Sequence, residues 1–115
     1  MFQSLEDIKQ EVENNGNVLT LPVAEVRDAY GAQRLGVHVR ANISKAMRGL
    51  GLGHYPQDLP DRRREPVRIY KLGTPAADLI EAVLSPSEES DEAIRERSSG
   101  EATKVLGDIR ELVCT

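Results

Sequence analysis

Six polar side chains fall within one eleven-residue stretch: His38, Arg40, Asn42, Ser44, Lys45 and Arg48. Three consecutive arginines, Arg62, Arg63 and Arg64, follow within the next twenty residues, and no carboxylate occurs from residue 29 to residue 57. A solvated helix ordinarily interleaves both signs to gain i,i+4 pairs. A cationic run without carboxylates instead suits a polyanion, because any acid beside a phosphate would repel it. The residue types also match base-edge chemistry: asparagine to adenine, arginine or lysine to guanine, and an apolar side chain such as Val37 or Ala41 to a thymine methyl. Arginines crowded in a loop repel one another and gain from phosphates or a narrow minor groove. Their alternative role is to pair on the surface with the neighbouring Asp58, Asp61 and Glu65.

Other chemistries are poorly supplied. His38, His54 and Tyr55 could serve a small nuclease as acid–base groups, but no carboxylate motif is spaced to position them. The glycines at 51 and 53 lack the following Lys-Ser or Lys-Thr of a phosphate loop, so they read as turn residues. The chain holds one cysteine, Cys114, and two histidines. Disulfides and cysteine zinc sites are thereby excluded within one chain. No catalytic residue, metal site or cofactor is expected.

The total charge of −4 hides an asymmetry. Residues 17–73 carry ten bases and five acids, whereas residues 1–16 and 74–115 are both acidic. A basic middle between acidic ends is what matters for a partner. Leu, Ile, Val and Phe make up 29 of the 115 residues, a quarter of the chain. That exceeds the roughly 20% below which disorder is expected, so a small aliphatic core is within reach. No apolar run approaches the ~18 residues of a membrane span. The N-terminus has no basic region leading into an apolar one, and a cytoplasmic protein is expected.

Apolar spacing predicts the elements that carry these residues. Phe2, Leu5, Ile8 and Val12 form one stripe of a helix over 4–14, capped by Ser4 and ended by Asn14-Asn15-Gly16. Residues 17–21 are a strand or an extended entry. A second helix spans 22–30, with Thr20 as its cap, Pro22 in its first turn and Gly31 as its stop. After a short turn, a third helix spans roughly 37–49. Projected at about 100° per residue, Val39, Ile43, Ala46, Met47 and Leu50 share its buried face. Arg48, Ala41, Lys45, Ser44 and His38 lie opposite, with Arg40 and Asn42 on the flanks. Residues 52–56 and 67–72 pair as an antiparallel hairpin across a polar, proline-rich loop. Thr74-Pro75 starts a fourth helix whose Ala76, Leu79, Ile80 and Val83 share a face. The Ser- and Glu-rich stretch 85–100 is a polar linker or frayed helix. Residues 101–115 form an amphipathic C-terminal helix.

Two short helices around a tight turn, followed by a hairpin with a basic loop, resemble a winged helix-turn-helix domain over residues 1–84. The fold expected is mainly α with a small β-hairpin, plus the C-terminal helix. The resemblance implies a non-enzymatic, sequence-preferring duplex DNA-binding protein, a transcriptional regulator or chromosome-associated factor. The third helix would read the major groove. Arg62, Arg63 and Arg64 would hold backbone or minor groove, and Arg34, Arg68 and Lys71 would contact phosphates. Some domains of this kind are protein-interaction adaptors instead, a role in which the acidic ends would be the working surfaces. The stripe of Val105, Leu106, Ile109, Leu112 and Val113 needs a surface to pack on, because so short a helix is marginal alone: it folds back on its own domain or, the reading favoured because paired half-sites suit a symmetric reader, forms a homodimer.

Overall fold

The computed structural model describes residues 2–97. In chain order they form α1 (Leu5–Asn14), β1 (Val18–Pro22), α2 (Val23–Tyr30), α3 (Val37–Gly49), β2 (Leu52–Tyr55), β3 (Pro66–Lys71), α4 (Pro75–Leu84) and α5 (Glu88–Arg97). The described residues thus combine five helices with one small antiparallel sheet of order β1-β3-β2. The expected hairpin is therefore a three-stranded sheet. The run 17–21 supplies the third strand, and its Leu21 is buried with Val67 and Ile69 of β3. The chain divides into two units at Asp78–Leu79.

In the first unit, local chemistry sets each boundary. Ser4 Oγ accepts the Asp7 amide at 3.2 Å, while Asp7 Oδ2 accepts the Gln3 amide at 3.0 Å, closing the start of α1 reciprocally. The helix ends where Gly16 and Asn17 take left-handed φ of 74° and 72°, which glycine and asparagine tolerate best. The α2 start differs from the expectation. Thr20 lies in β1 opposite Arg68 and caps nothing, and Pro22 occupies the N-cap position without a side-chain bond. Carbonyls from the distant loop take over instead: Glu65 O accepts from the Val23 amide at 2.9 Å and Arg63 O from the Ala24 amide at 3.1 Å. Orphan amides at a helix start must find acceptors, and here tertiary structure supplies them.

The core is aliphatic. Ile8 and Val12 of α1, Val23 and Val26 of α2, Ile43 and Met47 of α3, and Val67 and Ile69 of β3 are fully buried. Val39, Ala46 and Leu50 pack against them, so the projected face of α3 is the buried one. Leu59, in the loop between β2 and β3, is also buried. On the outer face of the sheet, Gly53 is register partner to Tyr70. A β-carbon at Gly53 would sit 2.5 Å from Tyr70 Cε2, so only glycine lets that ring lie flat across the strands.

Thr74 Oγ1 accepts the Ala77 amide at 3.3 Å and Pro75 takes the first helical position, as expected for α4. The exposure of the residues on its apolar face varies. Ala77 is the buried residue of α4, Ala76 and Ile80 are half-buried, and Leu79 and Val83 are exposed. In the second unit, α5 is a regular helix over what composition reads as linker or frayed helix. Ser87 Oγ accepts the Ser90 amide at 3.0 Å, and acids fill the first turn and arginines the last, complementing the dipole. No residue of α5 is buried. Among the described residues, no helix is long and apolar enough to cross a membrane.

Candidate nucleic-acid interface

α3 starts at Gly36 with no side-chain cap and no acid in its first turn. Its Ile43–Met47 face is fixed by the core, which leaves two polar flanks. One is turned to solvent: His38, Asn42, Lys45 and Arg48 are exposed there, with Ala41 among them and the 66%-exposed Val37 at the start. Arg34, in the turn before α3, is exposed as well.

The other flank faces the loop and β2, and its polar groups are engaged. Half-buried Arg40 donates from Nε to the Leu35 carbonyl and from a terminal guanidinium nitrogen to the Leu59 carbonyl, both at 3.0 Å. It therefore ties the turn before α3 to the loop after β2. Ser44 Oγ lies 2.8 Å from His54 Nε2, and His54 Nδ1 lies 2.7 Å from the Pro56 carbonyl. A carbonyl can only accept, so Nδ1 carries the proton and the neutral ring's Nε2 accepts from the Ser44 hydroxyl. Burial pushes the His54 pKa below its ordinary 6.5, and the nearby Arg48 charge pushes the same way. The Pro56 carbonyl and Asp58 oppose this. His54 is thus a positioning histidine between β2 and α3.

The loop of residues 56–65 is folded down, not free. Leu59 anchors its first half in the core. Its second half closes as a turn, with the Glu65 amide on the Arg62 carbonyl at 3.1 Å, and docks on the start of α2 through the Glu65 and Arg63 carbonyls. Backbone atoms make these bonds, so the side chains of Arg62, Arg63 and Arg64 remain exposed. Among the described residues, ion pairs join Arg27 to Asp28 at 2.9 Å and Lys71 to Glu13 at 3.6 Å. None joins Arg62, Arg63 or Arg64 to Asp58, Asp61 or Glu65, so the surface pairing that would neutralise the turn is not formed.

The structure therefore sorts the residues singled out in the sequence. His38, Asn42, Lys45 and Arg48 share the open side of α3, and Arg34 lies just before it. Arg62 to Arg64 form a second exposed group on a pinned turn. Arg68 is exposed on the outer face of β3. Arg40 and Ser44 are committed to intramolecular hydrogen bonds, and half-buried Lys71 has a carboxylate partner. Val105, Leu106, Ile109, Leu112 and Val113, with Cys114, lie outside the described residues. Sequence reasoning missed Leu59 as an anchor; its one signal is a single large apolar residue, next to Pro60, in a polar run. Tyr55, weighed in the sequence only as an acid–base group, is exposed at the end of β2, a sheet-edge position that no local pattern reveals. Among the described residues, no group of three His, Cys, Asp or Glu side chains could hold a metal ion.

Compared with known proteins, the chain matches no family model, no curated protein and no solved structure.

Proposed function

We propose that the first unit is a winged helix-turn-helix module that binds duplex DNA, with the open side of α3 in the major groove and the Arg62–Arg64 turn on the phosphate backbone or minor groove. The element order and the strand order β1-β3-β2 support the fold reading. The observation that carries the function is the exposed cationic side of α3 together with an arginine turn that has no ion-paired carboxylate among the described residues. A helix presenting asparagine, lysine and arginine at a groove specifies bases, while guanidinium groups beside it position the backbone. Pinning the loop through Leu59 and Arg40 holds the arginines in place before binding, which lowers the ordering cost of association. Sequence-preferring binding of this kind fits a regulator or chromosome-associated factor.

The experiment is a salt titration of binding to mixed-sequence duplexes. Affinity is expected to fall with a log–log slope of about −0.9 for each phosphate neutralised. Changing Arg62, Arg63 and Arg64 together to alanine should weaken binding across sequences and flatten that slope. Asn42→Ala or Lys45→Ala should relax sequence preference with little change in slope. A salt-independent affinity, or no binding at low salt, overturns the reading and leaves a protein-interaction module as the alternative.

A further inference from the structure

Tyr55 of β2, Arg68 of β3 and Thr20 of β1 stand in one row on the outer face of the sheet, because Arg68 is register partner to both of the others. With Glu65 and three prolines they line a cleft of about 430 Å³. That volume lies in the range of small-molecule and cofactor sites. Tyr55 is 48% exposed, an unusual outlay of aromatic surface on a chain with three tyrosines, one phenylalanine and no tryptophan. Prolines have no amide to donate, so Pro56, Pro60 and Pro66 make apolar walls suited to a flat ring. Arg68 is exposed and has no ion-pair partner among the described residues. Two of the lining residues, Pro60 and Glu65, bracket the Arg62–Arg64 turn in the chain.

An aromatic face beside an arginine, as Tyr55 lies beside Arg68, is the chemistry that holds a single-stranded nucleotide, with the base stacked and the phosphate on the guanidinium. A paired base inside a duplex has both faces covered by its neighbours and cannot stack on Tyr55. Aromatic and proline walls also suit a proline-rich peptide, but Arg68, exposed in the same row as Tyr55 and without an ion-pair partner among the described residues, offers a cation that a nucleotide phosphate uses and an apolar peptide does not. Glu65 repels phosphate and can accept only from a donor, such as the exocyclic amino group of cytosine or adenine.

We propose that this cleft takes one unpaired nucleotide at the end of, or displaced from, a DNA duplex, its base stacked on Tyr55 and its phosphate on Arg68. The inference rests on the duplex-binding reading and adds a site on a different face of the fold. It is tested by titrating the full chain with a blunt duplex and with the same duplex carrying a short single-stranded tail. The tailed form should bind about tenfold more tightly, the worth of roughly one stacked base. Tyr55→Ala should abolish that preference while leaving the blunt-duplex affinity unchanged, and Tyr55→Phe should preserve it. Unchanged blunt affinity in Tyr55→Ala also reports that the variant is folded. Equal affinity for the two duplexes, or a tail preference that survives Tyr55→Ala, overturns the proposal. Failure of the duplex reading is seen separately, as absence of blunt-duplex binding at low salt. A chain that then binds the free single strand through Tyr55 keeps the cleft and loses the duplex.

Discussion

The two polar flanks of α3 draw on the same kinds of residue and meet different fates. Arg40 and Ser44 point toward elements with fixed acceptors, the carbonyls of Leu35 and Leu59 and the ring of His54. His38, Asn42, Lys45 and Arg48 face solvent. A guanidinium that meets two backbone carbonyls at 3.0 Å becomes a strut, whereas Arg48, two turns further along the helix, keeps its charge available. Residue type thus says which chemistry is possible, and the neighbouring backbone says whether it is spent on the fold or offered to a partner.

The comparison breaks most visibly at the loop. Leu59→Ala should destabilise the first unit by about 2–4 kcal/mol, the usual cost of emptying a buried leucine site. Chemical denaturation measures it, and a cost near zero would mean that the loop is not anchored. Duplex affinity at temperatures where the variant is folded should also fall, because the arginine turn loses its fixed position.

Next in size is the contrast between the flanks. Arg40→Ala removes two charge-assisted hydrogen bonds and should cost about 1.5–3 kcal/mol of stability. Arg40→Lys should recover only part of this, since an ammonium lacks the planar fork that spans two carbonyls. Lys45→Ala, on the exposed flank, should change stability by less than about 0.5 kcal/mol. If both alanine variants melt alike, the distinction between strut and free cation fails.

The smallest effect is a pH dependence from His54. Its pKa is lowered in the folded chain, so below 6.5 the unfolded chain binds a proton that the folded chain resists. The stability this histidine contributes is fully present above pH 6.5 and is lost as pH falls toward the lower native value. Comparing denaturation of the parent and His54→Gln just above and below pH 6.5 isolates it from His38. The glutamine variant should show the shallower loss, and identical pH profiles would refute the buried, neutral assignment.

Much of this fold could be read locally. Ser4, Gly16, Gly31 and Thr74-Pro75 mark element ends through backbone preferences that act within a few residues, and the Ile43–Met47 face of α3 follows from helical spacing alone. The absence of acid from residue 29 to 57 identified the cationic stretch without any coordinates. Other features depend on segments far apart in the chain. α2 takes its first acceptors from Glu65 and Arg63 some forty residues away, and no nearby side chain announces it. β1 is a strand because β3 supplies its hydrogen bonds. The composition of 87–97 reads as a linker or frayed helix; the residues form α5, with acids in its first turn, arginines in its last and the Ser87 hydroxyl on the Ser90 amide.

The sequence by itself determined both ends of α1, the stop of α2, the start of α4, the aliphatic core face of α3 and the location of the cations, because these depend on intrinsic dihedral preferences, periodicity and formal charge. Only the tertiary structure decided that Arg40 and Ser44 serve the fold while Lys45 and Arg48 stay open, that Leu59 pins the arginine turn, and that Tyr55 and Arg68 share one cleft. The physical reason is that hydrogen bonding and burial are settled by which distant groups come within about 3 Å, and chain closure over tens of residues sets that distance.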